Sequence, residues 1–171
     1  MSLPPVPLVT PFATIYTDPL LTPRERAALV RTIDNAPDHY WDTTNDAEPW
    51  DPGVQYGVTD LPAALASRVL ALGLTFPANG GTALLYQKGD RITSHVDKMR
   101  GQLRLSILLV APEAGGVLEM GTHRTPACVP IASPPLGGAV LFSSNHYHAV
   151  TEVRKGRRLV LVLDVRRRRP A

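Results

Sequence analysis

The stretch Ile92-Thr93-Ser94-His95-Val96-Asp97 sets an imidazole and a carboxylate two residues apart. In an extended strand, side chains at i and i+2 leave the same face, so His95 and Asp97 can enter one space. Such a pair is half of a metal site, or simply a hydrogen-bonded pair beside a turn. Further along, His146-Tyr147-His148 offers two more imidazoles on one face, and Arg158 follows His148 by ten residues. Two histidines and one carboxylate on one face suit Fe(II), a metal served neither by soft thiolates nor by an all-oxygen shell, and leave coordination positions open.

Strands are needed to hold such a set together. From residue 82 onward, eight short β-rich runs recur between Gly and Pro signals: TALLYQK, ITSHVD, RLSILLVA, GVLEMG, ACVPIA, GAVLFSS, HAVTEV and RRLVLVLDV. Their spacing predicts a sandwich or barrel of the jelly-roll kind rather than βαβ units. The second run ends in His95-x-Asp97, the seventh begins with His148, and the eighth begins near Arg158. Upstream, residues 12–18 read as a strand. Residues 22–36 read as a helix, with Thr22 as cap, Pro23 in the first turn and Glu25 completing a capping box. A second helix is predicted over 61–73, with Asp60 as its cap. Residues 37–58, rich in Asp, Pro and aromatics, read as a long irregular loop of the kind that serves as a lid. Trp41, Trp50 and Tyr56 within it are either pocket-lining or packing residues.

Composition bounds the rest. The chain has 171 residues, 44% of them hydrophobic and 19% charged, as expected of one globular domain. That domain divides into a strand, helices and lid loop (1–81), a β core (82–165) and a basic tail (166–171). No apolar run is long enough to span a bilayer, and no secretion signal is visible at the start. With its single cysteine, Cys128, the chain fits a reducing, cytoplasmic setting and excludes multi-cysteine metal sites. Residues 1–90 carry 5 Lys/Arg and 10 Asp/Glu, and residues 91–171 carry 13 and 5. The arginines at 166–169 have no interleaved aromatics to stack on bases. A solvated tail is therefore expected rather than a nucleic-acid contact. Of the basic residues nearer the HxD pair, Lys98, Arg91, Arg100 and Arg104 can favour an anionic ligand, although Arg100 and Arg104 read individually as surface charges. Nothing in the sequence specifies an oligomeric state.

The runs YQKGDRITSHVD, RLSILLVAPEAGGVLEM, PPLGGAVLF and HAVTEVRKGRRLVLVL resemble the 2-oxoglutarate- and Fe(II)-dependent oxygenases, in particular the prolyl-4-hydroxylase-like branch. The resemblance covers roughly residues 82–165. It implies a double-stranded β-helix (jelly roll, cupin-like) of about eight strands behind N-terminal helices. His95, Asp97 and His148 would hold iron, with His148 chosen over His146 because Val150, Val153, Gly156 and Arg158 fall into register from it. Arg158 would pair with the distal carboxylate of the co-substrate 2-oxoglutarate, for which a guanidinium is a two-pronged, permanently charged partner. Tyr86 would contact the same co-substrate. Dioxygen would be consumed, with release of succinate and CO2, and a peptide residue, free amino acid or small natural product would be hydroxylated. The chain departs from the family in having Glu152 where a proline is usual. It also lacks a tyrosine near the end of its third run. Two rival classes are a cupin-like metal protein or isomerase that does not use 2-oxoglutarate, and a nucleic-acid demethylase.

Overall fold

Apolar residues on both faces of most strands require a layer on each side of the main sheet, and that is what forms. The computed structural model describes residues 7–37, 54–76, 80–97 and 102–168. The strands in chain order are β1 (Leu8–Val9), β2 (Ala13–Tyr16), β3 (Val54–Val58), β4 (Leu74–Thr75), β5 (Gly81–Tyr86), β6 (Ile92–His95), β7 (Leu103–Val110), β8 (Ala114–Gly115), β9 (Leu118–Gly121), β10 (Cys128–Pro130), β11 (Ala139–Ser143), β12 (His148–Val150), β13 (Val153–Lys155) and β14 (Arg158–Arg167). Helices α1 (Pro23–Asp34) and α2 (Ala63–Ala71) precede the β core. An eight-stranded sheet runs β1-β2-β11-β7-β14-β5-β3, with β4 paired to β14. A four-stranded sheet, β10-β9-β12-β6, faces it, and β13 pairs with β8. All pairings are antiparallel. This is the jelly-roll architecture expected from the spacing of the runs.

Strand alternation on β14 decides which residues reach the interior. Leu159, Leu161, Leu163 and Val165 pack with Leu105, Ile107 and Leu109 of β7 against Leu29 and Ile33 of α1 and Leu65 and Val69 of α2. Val160 and Val162 face the other way, toward Tyr86, Ile92 and Val150 between the sheets. Arg158, two residues before Val160, shares that inner face.

α1 starts as the sequence predicts: Glu25 N–H donates to Thr22 Oγ1 (3.2 Å) and Thr22 N–H donates to Glu25 Oε2 (2.8 Å). Three expectations need correction. Asp60 does not cap α2; Pro62 occupies the cap position without a side-chain bond, its fixed φ suiting the chain's entry. Residues 54–58, expected within an irregular loop, form β3 and pair with β5; the Val54-x-Tyr56-x-Val58 alternation was hidden by its Asp- and Pro-rich surroundings. Most of the expected lid, with Trp41 and Trp50, lies outside the described residues, while Tyr56 packs against the main core. Finally, the basic tail begins later than expected. Arg166 and Arg167 belong to β14, paired with Thr75 and Leu74 of β4, because ladder bonds use only backbone and leave the guanidinium groups in solvent.

Candidate active site

His95 ends β6 and His148 begins β12, and the two are directly opposed across the ladder. Cross-strand neighbours stand close enough for their side chains to interact, and these imidazole rings have centroids 4.3 Å apart. Asp97 lies just past the end of β6, where its N–H donates to the Ser144 carbonyl (3.0 Å). Its Oδ1 is 3.8 Å from His95 Nε2 and 3.8 Å from His148 Nε2. One ligand atom from each of the three residues falls within 4.8 Å of the others, a spacing that can hold a metal ion.

The tautomers suit this role. His95 Nδ1 lies 2.9 Å from the Thr93 carbonyl and His148 Nδ1 lies 3.0 Å from the His146 carbonyl. A carbonyl only accepts, so each Nδ1 carries the hydrogen and each Nε2 keeps its lone pair for a metal. His148 is 9% exposed, and Phe142 stands against its ring at 5.0 Å. Burial, followed by the neighbouring His95, pulls its pKa down to about 4, so it is neutral at neutral pH and ready to coordinate.

A cavity of about 120 Å³ runs from these three residues inward between the sheets. Thr82, Leu84, Ser106, Leu118, Val160 and Val162 form its walls, and Tyr86 and Arg158 are among its lining residues. Arg158 is 6% exposed and directly opposes Tyr86 across the β14–β5 ladder. Its Cζ lies 5.2 Å from the centre of the Tyr86 ring. Burial disfavours the guanidinium charge, an effect the Tyr86 hydroxyl offsets in part as a hydrogen-bonding neighbour. Burial also pushes the Tyr86 hydroxyl up to about 12. Among the described residues, no carboxylate pairs with Arg158. Its neighbour Arg157 points outward instead and grips Asp34 of α1 with two bonds of 2.7 and 2.8 Å.

The double glycine makes room for this arrangement. At Gly116, φ is +62°, and a Cβ would meet Pro112 Cγ at 2.9 Å, Val153 Cγ2 at 3.1 Å and Arg158 Cδ at 3.3 Å. At Gly115, φ is +75° and a Cβ would collide with the Glu152 carbonyl. At Glu152 the contact is therefore made by the backbone, which explains why the side chain there can differ from the family's proline.

His146 lies outside the three-residue set, its ring stacked 6.2 Å from His123 at the rim. Arg104, expected to be a surface charge, is instead part-buried at the site: its Nε donates to Asp97 Oδ2 (3.1 Å). The signal was the Arg-x-Ser alternation within the otherwise apolar β7, since a cation on a buried face must find a partner. Arg100 lies outside the described residues.

The fold and the site thus define a jelly-roll protein with a two-histidine, one-carboxylate centre at the mouth of an internal cavity. Residues 81–164, the β core that carries the site, match the model of the 2OG-Fe(II) oxygenase superfamily, so that core is of the 2OG-Fe(II) oxygenase kind. No curated protein sequence matches it. Among solved structures, it is similar to a 2OG-Fe(II) oxygenase family oxidoreductase from Burkholderia pseudomallei (18% identity, 94% of this chain and 87% of that one, TM-score 0.67). It is likewise similar to a Pseudomonas putida prolyl-4-hydroxylase (20%, 88% and 90%, 0.62). A third similar structure is HygX from Streptomyces hygroscopicus with nickel and 2-oxoglutarate bound (15%, 90% and 82%, 0.61), of which another structure also holds hygromycin B. Among the described residues, no helix is long and apolar enough to cross a membrane.

Proposed function

We propose that His95, Asp97 and His148 hold Fe(II), that Arg158 and Tyr86 hold 2-oxoglutarate, and that the protein hydroxylates a peptide residue, a free amino acid or a small natural product. The observation that carries this reading is Arg158: a guanidinium, 6% exposed, that lines the same cavity as the three candidate ligands and has no carboxylate partner among the described residues. An unpaired buried charge costs several kcal/mol, and a protein keeps one where a ligand supplies the counter-charge. Arg158 receives a carboxylate as a fork, and Tyr86 beside it orients the fork. The apolar walls formed by Leu84, Val160 and Val162 exclude water from the reacting end. The Nε2 lone pairs of the two histidines and Asp97 Oδ1 supply the metal's protein ligands. Iron bound there, with 2-oxoglutarate and O2, would supply oxidative decarboxylation to succinate and CO2 coupled to hydroxylation of a carbon. Proteins of similar fold include a prolyl-4-hydroxylase and one with hygromycin B bound, which supports both a peptidyl and a small-molecule substrate class. The chain works as one domain over residues 1–171, since α1 and α2 share their core with β7 and β14.

The test is anaerobic loading with Fe(II), titration of 2-oxoglutarate, and admission of O2 with candidate peptides and amino acids. Succinate release and a mass gain of one oxygen are expected. Metal-loaded protein that does not bind 2-oxoglutarate would overturn the reading.

A further inference from the structure

The two oxygens of Asp97 have different neighbours. Oδ1 lies 3.8 Å from each of the two histidine Nε2 atoms. Oδ2 accepts from Arg104 Nε at 3.1 Å. Arg104 is itself anchored, because it stands on β7 directly opposite Asp164 on β14, and its Nη1 lies 2.9 Å from Asp164 Oδ1. That second contact is one of charge rather than of hydrogen-bond direction, since Asp164 Oδ1 has no aligned donor among the described residues. The guanidinium thus bridges two carboxylates, one on the wall of the main sheet and one at the mouth. A planar fork is suited to that bridge.

We propose that Arg104 is a positioning residue that reserves Asp97 Oδ2 for itself, so that Asp97 meets the metal through Oδ1 alone. The inference rests on the reading that His95, Asp97 and His148 hold the metal. A carboxylate with both oxygens unengaged can ligate through one or both. Ligation through both would take a fourth position of the metal, whereas a two-point co-substrate together with dioxygen needs three. The backbone does not impose the choice: Asp97 lies beyond the last residue of β6, and its N–H bond to Ser144 (3.0 Å) holds the main chain but leaves the carboxylate free to turn. Arg104, held by the β7–β14 ladder, supplies the missing constraint. Loss of that constraint should therefore harm co-substrate binding more than metal binding, the reverse of what loss of a metal ligand does.

The experiment is anaerobic calorimetry with Mn(II), followed by titration of the metal-loaded protein with 2-oxoglutarate, for wild type, Arg104→Gln and Arg104→Lys. Melting of each metal-free protein gives an independent readout of fold. Arg104→Gln is expected to take Mn(II) at least as tightly as wild type but 2-oxoglutarate about tenfold more weakly, as for loss of one charge-assisted bond. Arg104→Lys, which keeps charge and a donor but loses the fork, should recover part of that loss. Wild type that takes up no Mn(II) would remove the metal reading and this inference with it. If wild type binds both ligands, then Arg104→Gln with unchanged 2-oxoglutarate affinity, or with Mn(II) and 2-oxoglutarate lost in parallel, refutes the positioning role alone. Should Arg104→Gln not fold, Arg104→Lys decides: retained Mn(II) with 2-oxoglutarate weakened about threefold supports the role, and wild-type 2-oxoglutarate affinity refutes it.

Discussion

Replacing Arg158 with methionine should move stability and binding in opposite directions. In the ligand-free protein the guanidinium is 6% exposed and has an aromatic neighbour, Tyr86, at 5.2 Å, but no carboxylate among the described residues. Even a buried ion pair replaced by well-packed apolar side chains of similar volume commonly leaves stability unchanged or raised by about 1–4 kcal/mol, and a buried cation without a carboxylate partner has less attraction to lose. Loss of the desolvated cation–π contact takes back up to about 2 kcal/mol. The middle of the first range less about 1 kcal/mol for the contact gives a net gain of about 1–2 kcal/mol, and each kcal/mol raises the melting temperature of a domain of this size by about 2–4 °C. The same change removes two charge-assisted bonds to a carboxylate, at about 1.5 kcal/mol or more each, so 2-oxoglutarate affinity should fall at least about a hundredfold. Scanning calorimetry of the metal-free protein and titration of the metal-loaded one read the two effects separately. A melting temperature several degrees below wild type would mean that the guanidinium is already satisfied without ligand. Unchanged 2-oxoglutarate affinity would place the co-substrate elsewhere. Arg157→Met provides the contrast: its paired bonds to Asp34 lie at the surface, with side chains 39% and 38% exposed, and such pairs contribute about 1 kcal/mol or less, with no effect on 2-oxoglutarate.

His95→Ala, Asp97→Ala and His148→Ala should each abolish 2-oxoglutarate turnover and weaken Fe(II) binding by more than about a hundredfold, whereas His146→Ala should retain substantial activity; an inactive His146→Ala with an active His148→Ala would move the ligand assignment by one HxH step. Gly116→Ala should cost about 1–2 kcal/mol for a left-handed residue and also weaken 2-oxoglutarate, since the added methyl reaches the Arg158 side chain; chemical denaturation and ligand titration of the same sample would check both. Glu25 is held down to about 2 by hydrogen bonds from Arg68 and then Thr22. A depressed carboxylate stabilises the fold above its ordinary pKa of about 4.5 and loses that contribution as pH falls toward about 2, so Glu25→Gln should flatten the acid limb of the stability curve over that interval.

The features of the site that were legible in the sequence depend on short-range rules. His95 and Asp97 were expected together from strand alternation, and although β6 ends at His95 the two do meet at the site; Thr22, Pro23 and Glu25 start a helix through local bonds. The pairing of His148 with His95 across β12 and β6 follows from long-range register, which periodicity alone could not supply; the family resemblance supplied only the choice of His148 as a ligand. The inward direction of Arg158 was likewise undecidable from alternation, because β14 is apolar on both faces; it depends on α1 and α2 covering the Leu159, Leu161 and Leu163 side. Arg104 was read as a surface charge because a lone arginine in a strand looks solvated until its partners, Asp97 and Asp164, are located in three dimensions. Strand β3 was missed where turn-forming residues crowd its start.

The three candidate metal ligands and the buried arginine stand on opposite layers of the sandwich. His95 and His148 belong to the four-stranded sheet, and Arg158 and Arg104 to the eight-stranded one. Metal and co-substrate held together would therefore act as a non-covalent staple between layers that otherwise meet through apolar contacts and the Arg104–Asp97 ion pair. The work needed to pry the layers apart would then depend on ligand concentration, growing by about 1.4 kcal/mol for each tenfold rise above the dissociation constant. The thin layer, rather than the helix-backed one, would gain most of the protection. Slowed amide exchange in β6 and β12 on loading would be the sign that the reaction centre is also a fastening.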